Sequence, residues 1–463
     1  VTEHKVWGAV LILCLGSRLM SAVYYIEDLD SLRFALGVVD YDVTKLQPHF
    51  PAYPVFCFLA KAIYALTDRY AVAFAVLGGV ATFGIIYFAL GIVQLKITTP
   101  LGLSAAFLLF FNPLLWLMSN RYMPDAMGVA GVLACCYFVA KQGKGKAGLG
   151  FFVAGLSLGV RLSYAPMLLV PLLLRLKERG PRWQFMAAGV AGLAVWLIPL
   201  IAITGWTELT TAAQTQTQGH FADFGGTVAT EPNFALRSLG LFESIWADGF
   251  GLYWAGRHVV TACTTVALLG IVAIHGGAVV RRVDRSVLLS APFIGCILYL
   301  GWIFLFQNVV HKSRHVLPLL PFLALIPAFA CAQIATQGPR FFRLVVIAFF
   351  LCYGYATLHL IVQHKKPTAI AQIHQYLVAK KSAALHIASV PLIKYYLASQ
   401  ALQAVYIPVR DQGDLYALNT LDDTAELVVI GSPLQDRVPQ ATKTFYHNPY
   451  VNRMWSELTV YEY

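Results

Sequence analysis

Charge is what this sequence has least of. Of its 463 residues only 12% are Asp, Glu, Lys or Arg, about half the roughly 25% of an ordinary soluble domain. Apolar residues make up 58% and the mean hydropathy is +0.65. So few charges cannot cover the surface of a set of soluble domains. The composition also excludes disorder and a collagen-like chain. Metal and redox signatures are missing too. The eight cysteines are Cys14, Cys57, Cys135, Cys136, Cys263, Cys296, Cys331 and Cys352. All lie in apolar stretches and none forms a CxxC pair, which excludes a disulfide scaffold. Internal repeats and low-complexity segments are lacking, as are charges in the middle of the apolar runs, Arg18 apart. A pore or transporter would favour charges and broken helices at the bilayer midplane.

What is present is a series of apolar runs of membrane-spanning character. A helix crosses the hydrocarbon core with about 20 apolar residues. Eleven candidate spans follow, near 6–24, 70–95, 101–119, 123–140, 147–160, 162–176, 183–204, 251–280, 286–307, 316–335 and 341–363. The fifth and sixth are short and meet at Arg161. Residues 1–5 resemble the polar start of a signal anchor, with no small-residue cleavage site after the first run. With the N-terminus cytoplasmic, the inner segments hold 14 cations and three acids. This is the asymmetry expected of cytoplasmic loops, so the net charge of +11 needs no nucleic-acid partner.

An odd number of spans places the tail outside. Residues 366–463 are of different composition and read as a small extracytoplasmic α/β domain. Helices are expected at 371–380 and 392–400, and strands at 384–388, 405–408, 427–430, 443–446 and 458–461 by β-branched and aromatic content. The remainder, 1–365, reads as an all-α polytopic membrane domain of about eleven helices with long outer loops at 25–69 and 205–250. Long structured loops are often functional.

The unusual polar groups all gather on the outer side. Glu27, Asp28 and Asp30 follow the first span, where carboxylates are costly unless they pair or work. One of them can act as general base toward a hydroxyl, or the group can simply cap a helix. Gln47-Pro48-His49-Phe50-Pro51-Ala52-Tyr53-Pro54 forces an irregular, rigid path, and a membrane-parallel helix is expected at 55–66. His49 and Tyr53 are candidates for acceptor or sugar contact. Arg121 and Asp125 flank the next outer turn, either as a structural pair or as a phosphate-facing cation and a second acid. Arg161, Lys312, Arg314 and His315 add cations on the side that should be poor in them. Arg binds phosphate in bidentate fashion and Lys as a point charge, so an anionic lipid phosphate is a fitting partner, with head groups or loop carboxylates as the alternatives. In 214–223, His220 suggests a lid over a sugar, or a polar linker.

These motifs resemble the GT-C superfamily of membrane glycosyltransferases, closest to its bacterial protein mannosyltransferase and aminoarabinose transferase branch. The matching stretches are Asp30-Ser31-Leu32-Arg33-Phe34-Ala35, the Pro-rich motif 47–54, Arg121-Tyr122-Met123-Pro124-Asp125, Arg161, and His311-Lys312-Ser313-Arg314-His315-Val316-Leu317-Pro318. The family's Asp-Glu pair is here Asp30-Ser31, with Glu27 and Asp28 upstream; motif position favours Asp30 as base and leaves Asp28 second. The resemblance implies inverting transfer from a polyprenyl-phosphate sugar to an acceptor hydroxyl on a lipid, glycan or protein. Arg121, Arg161, Lys312, Arg314 or His315 would stabilise the departing phosphate, and Asp125 would orient the acceptor. The activated donor needs no cofactor; a divalent metal, if used, would sit on Asp30 and Asp125. Two rival classes stand beside this reading. A ligase or polymerase acting on lipid diphosphates is expected to carry an Arg-rich outer loop, whereas 205–250 holds only Arg237. A non-enzymatic transporter or flippase should tolerate loss of Asp30.

Overall fold

Each apolar run forms helix, because a backbone in hydrocarbon must satisfy its own hydrogen bonds. The computed structural model describes residues 3–141, 143–178, 182–282, 290–380, 385–420 and 426–463. Arg179, Asp284 and Arg285 of the inner-side charge count and Ala384 of the first expected strand lie outside the described residues. The protein is a mostly helical, polytopic integral membrane protein with a small C-terminal sheet domain.

Of the roughly eleven transmembrane helices expected, only some reach full spanning length by themselves. Among the described residues, four helices are long and apolar enough to cross a membrane: Tyr70–Ile92, Arg182–Thr204, Ser313–Gln337 and Arg340–Lys380. A fifth arises if the bent pair Pro100–Phe110 and Pro113–Asn120 is one span. The physical cause is interruption. In the run 101–119 the helix stops at Phe110, Asn112 caps a new one by accepting from the Leu115 amide, and Pro113 occupies its first turn; the two parts diverge by 51°. The run 251–280 becomes helical only from Val260. Helices Asp125–Ala140 and Ala291–Phe306 have 16 residues each, about 24 Å of rise against a core of about 30 Å.

The chain forms two compact units, Val1–Ala22 with Phe34–Val362, and Val23–Arg33 with Gln363–Tyr463. In the first, Tyr70–Ile92 packs against Glu3–Met20 and Asp125–Ala140, and Lys144–Leu158 packs against Arg182–Thr204. Leu108, Leu133, Ile303, Val316 and Leu320 belong to one continuous apolar core. Arg18 lies inside it, fully buried, with its guanidinium 3.6 Å from the Trp116 ring centre and Nε donating to Ser119 Oγ at 3.0 Å. Close helix approach depends on Gly78, where a Cβ would sit 1.5 Å from the Ser119 carbonyl oxygen. No side-chain rotation relieves a backbone clash. Gly78→Ala is therefore expected to cost at least the upper end of the roughly 1–3 kcal/mol typical of overpacking. Gly8→Ala, which meets nothing within 4 Å, should leave the melting midpoint of the solubilised protein unchanged.

The second unit carries a five-stranded sheet: β1 (Leu385–Ser389), β2 (Val405–Pro408), β3 (Glu426–Ile430), β4 (Ala441–Tyr446) and β5 (Glu457–Glu462). The order is β2-β1-β3-β5-β4. β1 pairs in parallel with β2 and β3, while β5 runs antiparallel to β3 and β4. Helices Ala369–Lys380 and Pro391–Ala398 stand where the sequence places them, and a short helix Gln412–Ala417, unforeseen, follows β2. The central strands β1 and β3 are almost continuously buried, as parallel strands covered on both faces are. β4, at an edge, buries only Phe445.

Candidate active site

The Pro-rich segment sets the first part of the site. Asp42 accepts from the Thr44 amide and caps the turn Val43–Lys45. Ala52 and Tyr53 follow in the left-handed region, with φ of 70° and 48°, uncommon for residues with a Cβ. Helix Pro54–Thr67 starts there, covering the expected 55–66. The Val55 amide donates to the Gly159 carbonyl at 3.1 Å, which ties this helix start to the turn holding Arg161.

That turn supplies the cation of a buried ion pair. Arg161 Nη2 lies 3.1 Å from Asp125 Oδ1, with the two side chains 6% and 0% exposed. The partner of Asp125 is thus Arg161, and the pair foreseen with Arg121 is replaced by this longer-range one. Gly128, one turn along from Asp125, makes room for it: a Cβ there would be 2.7 Å from the Arg161 Cβ and 3.0 Å from the Tyr164 ring. Burial is the largest influence and would lower the Arg161 pKa, but the Asp125 carboxylate together with Tyr53, Tyr164 and Tyr299 raises it on balance. Tyr164 Oη donates to Asp125 Oδ1 at 3.4 Å, and Arg161 Nη1 donates to Tyr53 Oη at 3.4 Å. Tyr53 Oη lies 3.1 Å from His49 Nε2. His49, Tyr53, Arg161, Asp125 and Tyr164 form one chain of polar contacts.

The stretch 312–315 joins this group from another part of the sequence. Arg314 Nη1 approaches Met123 Sδ at 3.3 Å, and Tyr299 Oη donates to the His315 carbonyl at 2.8 Å. The charges of Arg314, Arg161, Lys312 and His220 all act on the buried His315 side chain. Arg161, Arg314, Lys312 and His220 thus lie within electrostatic reach of His315, and Arg161 among them is the one paired with Asp125. Tyr164 and Tyr299 escaped the sequence reading; the only hint was a polar-tipped aromatic at the edge or middle of an apolar run. Three buried atoms of this group have no hydrogen-bond partner among the described residues: Asp125 Oδ2, Arg161 Nε and His315 Nδ1. Leaving such an atom unpaired costs about 1–3 kcal/mol, so each of the three has room in its bonding for a further polar partner. Arg121 is also buried, at the C-terminal end of helix Pro113–Asn120, and Tyr122 beside it stacks on Phe74.

The loop 205–250 is a clamp. Arg237 is wholly buried and donates to the carbonyls of Phe304, Gly226 and Gln307. The Val228 amide takes the Leu305 carbonyl, and His220 Nε2 lies 2.7 Å from the Phe306 carbonyl. Four successive carbonyls at the end of helix Ala291–Phe306 are thereby held by this loop, just before Lys312 and His315. The lone arginine of the loop is a backbone clamp. Arg237→Ala should cost about 3 kcal/mol, because it strands several buried acceptors. Limited proteolysis should then cut within 220–235 faster than in the parent protein.

The carboxylates of the first loop lie in the other unit. Asp28 Oδ1 accepts from the Ser31 amide at 2.8 Å, capping helix Leu29–Val39, and Asp28 Oδ2 accepts from Asn452 Nδ2 at 2.9 Å. Both its oxygens are thus engaged. Glu27 Oε1 pairs with His364 Nε2 at 2.6 Å, each side chain 2% exposed. Asp30 is half-buried in the first helical turn, where the helix dipole favours a carboxylate. Among the described residues no group of three or more His, Cys, Asp or Glu side chains is placed to hold a metal ion.

A polytopic helical unit followed by a small C-terminal α/β domain is a fold shared with solved membrane proteins. The chain is similar over 99% of its length to ArnT from Cupriavidus metallidurans bound to undecaprenyl phosphate, with a TM-score of 0.52, 11% identity and 98% of that chain covered. The apo state of the same protein gives a TM-score of 0.51 at 10% identity, covering 98% of this chain and 97% of that one. An Archaeoglobus fulgidus oligosaccharyltransferase in complex with Zn and sulfate matches with a TM-score of 0.47 at 11% identity, over 91% of this chain and 67% of that chain. No family model matches the sequence, and no curated protein matches it.

Proposed function

We propose that this protein is a glycosyltransferase that moves a sugar from a polyprenyl-phosphate donor to an acceptor hydroxyl, with inversion, at the extracytoplasmic membrane face. The observation that carries the reading is the buried Arg161–Asp125 pair together with Arg314 and Lys312, whose charges, like that of Arg161, reach the buried His315. Cations held rigidly in a low-dielectric site are suited to the charge that develops on a departing lipid phosphate. A fold shared with a protein whose structure holds undecaprenyl phosphate supports the donor class. Asp125, fixed by Arg161 and Tyr164, orients the acceptor through its remaining oxygen. His49 and Tyr53 extend the polar chain toward a sugar or acceptor hydroxyl. Asp30 keeps the role of general base that its motif implies: it takes the acceptor proton as the oxygen attacks the anomeric carbon. The donor carries its own leaving group, so this scheme includes no cofactor. In this reading the N-terminus is cytoplasmic and the tail extracytoplasmic, and the partners are the lipid-linked donor, a lipid, glycan or protein acceptor, and membrane lipids.

The test is turnover by purified protein in lipid, offered a panel of radiolabelled polyprenyl-phosphate sugars with membrane extract as acceptor source. Transfer of label from one donor supports the reading. Movement of donor across the bilayer without transfer would replace it with a flippase.

A further inference from the structure

The loop between β4 and β5 does something the sheet does not require. It folds a string of buried polar side chains back toward the segment Val23–Arg33. His447 Nδ1 accepts from the Ala369 amide at 3.0 Å, and His447 Nε2 lies 2.7 Å from the Asn452 carbonyl. Asn452 Oδ1 accepts from the Met454 amide at 2.9 Å, which leaves its Nδ2 pointing to Asp28 Oδ2. Around the same segment, His364 pairs with Glu27, Thr368 Oγ1 donates to the Glu27 carbonyl at 2.7 Å, Tyr25 Oη donates to the His364 carbonyl at 2.7 Å, and Tyr396 Oη donates to the Ile26 carbonyl. Glu27, Asp28, His364, Thr368, His447 and Asn452 are all buried.

Such a network is costly to build and specifies one geometry when every member is satisfied. Its bonds are concentrated on three residues, Ile26 to Asp28, which are separated from Asp30 by Leu29. The bond from Asn452 is the most pointed of them. It holds one oxygen of Asp28 while the other oxygen caps the helix whose first turn contains Asp30. The orientation of that first turn therefore depends on a residue more than 400 positions away in sequence.

We infer that the C-terminal domain is a positioning device for the general base: Asn452 acts through the Asp28 cap to set the first turn that carries Asp30. This rests on the transferase reading above and gives Asp28 the part of a positioning residue. Acceptor capture, the more obvious use of such a domain, is not needed to explain the network.

The experiment uses the full-length protein in lipid. Asn452→Asp is nearly isosteric but turns the donor into an acceptor facing Asp28. The paired swap Asp28→Asn with Asn452→Asp restores one donor and one acceptor, and the Asn side chain still caps the helix well. Amide hydrogen exchange over 26–32 is read beside kcat and KM. Expected for Asn452→Asp are faster exchange over 26–32, unchanged exchange in β1 and β3, and a kcat lower by about 10- to 100-fold, the scale of a small misplacement, with the donor KM within about twofold. The swap should restore slow exchange and most of kcat. Unchanged exchange in the single variant would overturn the inference, and so would altered exchange with an unaltered kcat or a swap that restores neither. A wild-type protein that transfers no sugar from any donor speaks against the transferase reading itself; Asn452 as the holder of the segment then stands or falls on the exchange result alone.

Discussion

Arg161→Met is expected to lower stability by about 3–5 kcal/mol, because it strands the Asp125 carboxylate in a site with no exposure. Methionine fills much of the arginine volume, so the loss is electrostatic rather than a cavity. Transfer should fall as well, by about 10²–10³ in kcat, the scale seen when a preorganised charge partner of the transition state is removed. The two effects separate in the double variant Arg161→Met with Asp125→Leu. Replacing a whole buried pair by apolar residues of similar volume is often neutral or stabilising, so the melting midpoint should return close to that of the parent. Transfer should stay lost. A double variant that regains both would show the pair to be a packing feature, and the lipid-phosphate assignment would move to Lys312 and Arg314.

Asp30→Asn should reduce kcat by about 10²–10⁴ while the donor KM stays within about twofold, as befits loss of a general base. The amide keeps the shape and a place in the first helical turn but cannot take the acceptor proton. Donor binding, followed with a non-transferable polyprenyl phosphate, should persist. Full activity in Asp30→Asn would remove this carboxylate from the chemistry. Asp28 is the weaker alternative, because both its oxygens already serve the helix cap and Asn452.

The tail shows how far composition reaches. Strand β2 occupies Val405–Pro408 as the β-branched and aromatic pattern indicates, and β3, β4 and β5 differ from expectation only at their ends. The membrane spans show where it stops. Periodicity and hydropathy report that 101–119 is apolar and helical, but the 51° bend depends on Asn112 and Pro113 starting a second helix, a local competition that averaging over a window hides. Arg18 was visible as an anomaly in the first span; its Trp116 and Ser119 neighbours were not.

By itself the sequence determined that this is a membrane protein and that an α/β tail follows. Those properties are sums over local residues: transfer free energy of side chains, charge bias of short loops, backbone preference of β-branched strands. Only the tertiary structure decided which partner each charge takes. Asp125 is matched with Arg161 rather than the nearer Arg121, Glu27 with His364, Asp28 with Asn452, and Arg237 with three carbonyls. A buried charge must find its counterpart through space, because the interior offers no water to replace it, and spatial neighbours separated by tens or hundreds of residues leave no periodic trace along the chain.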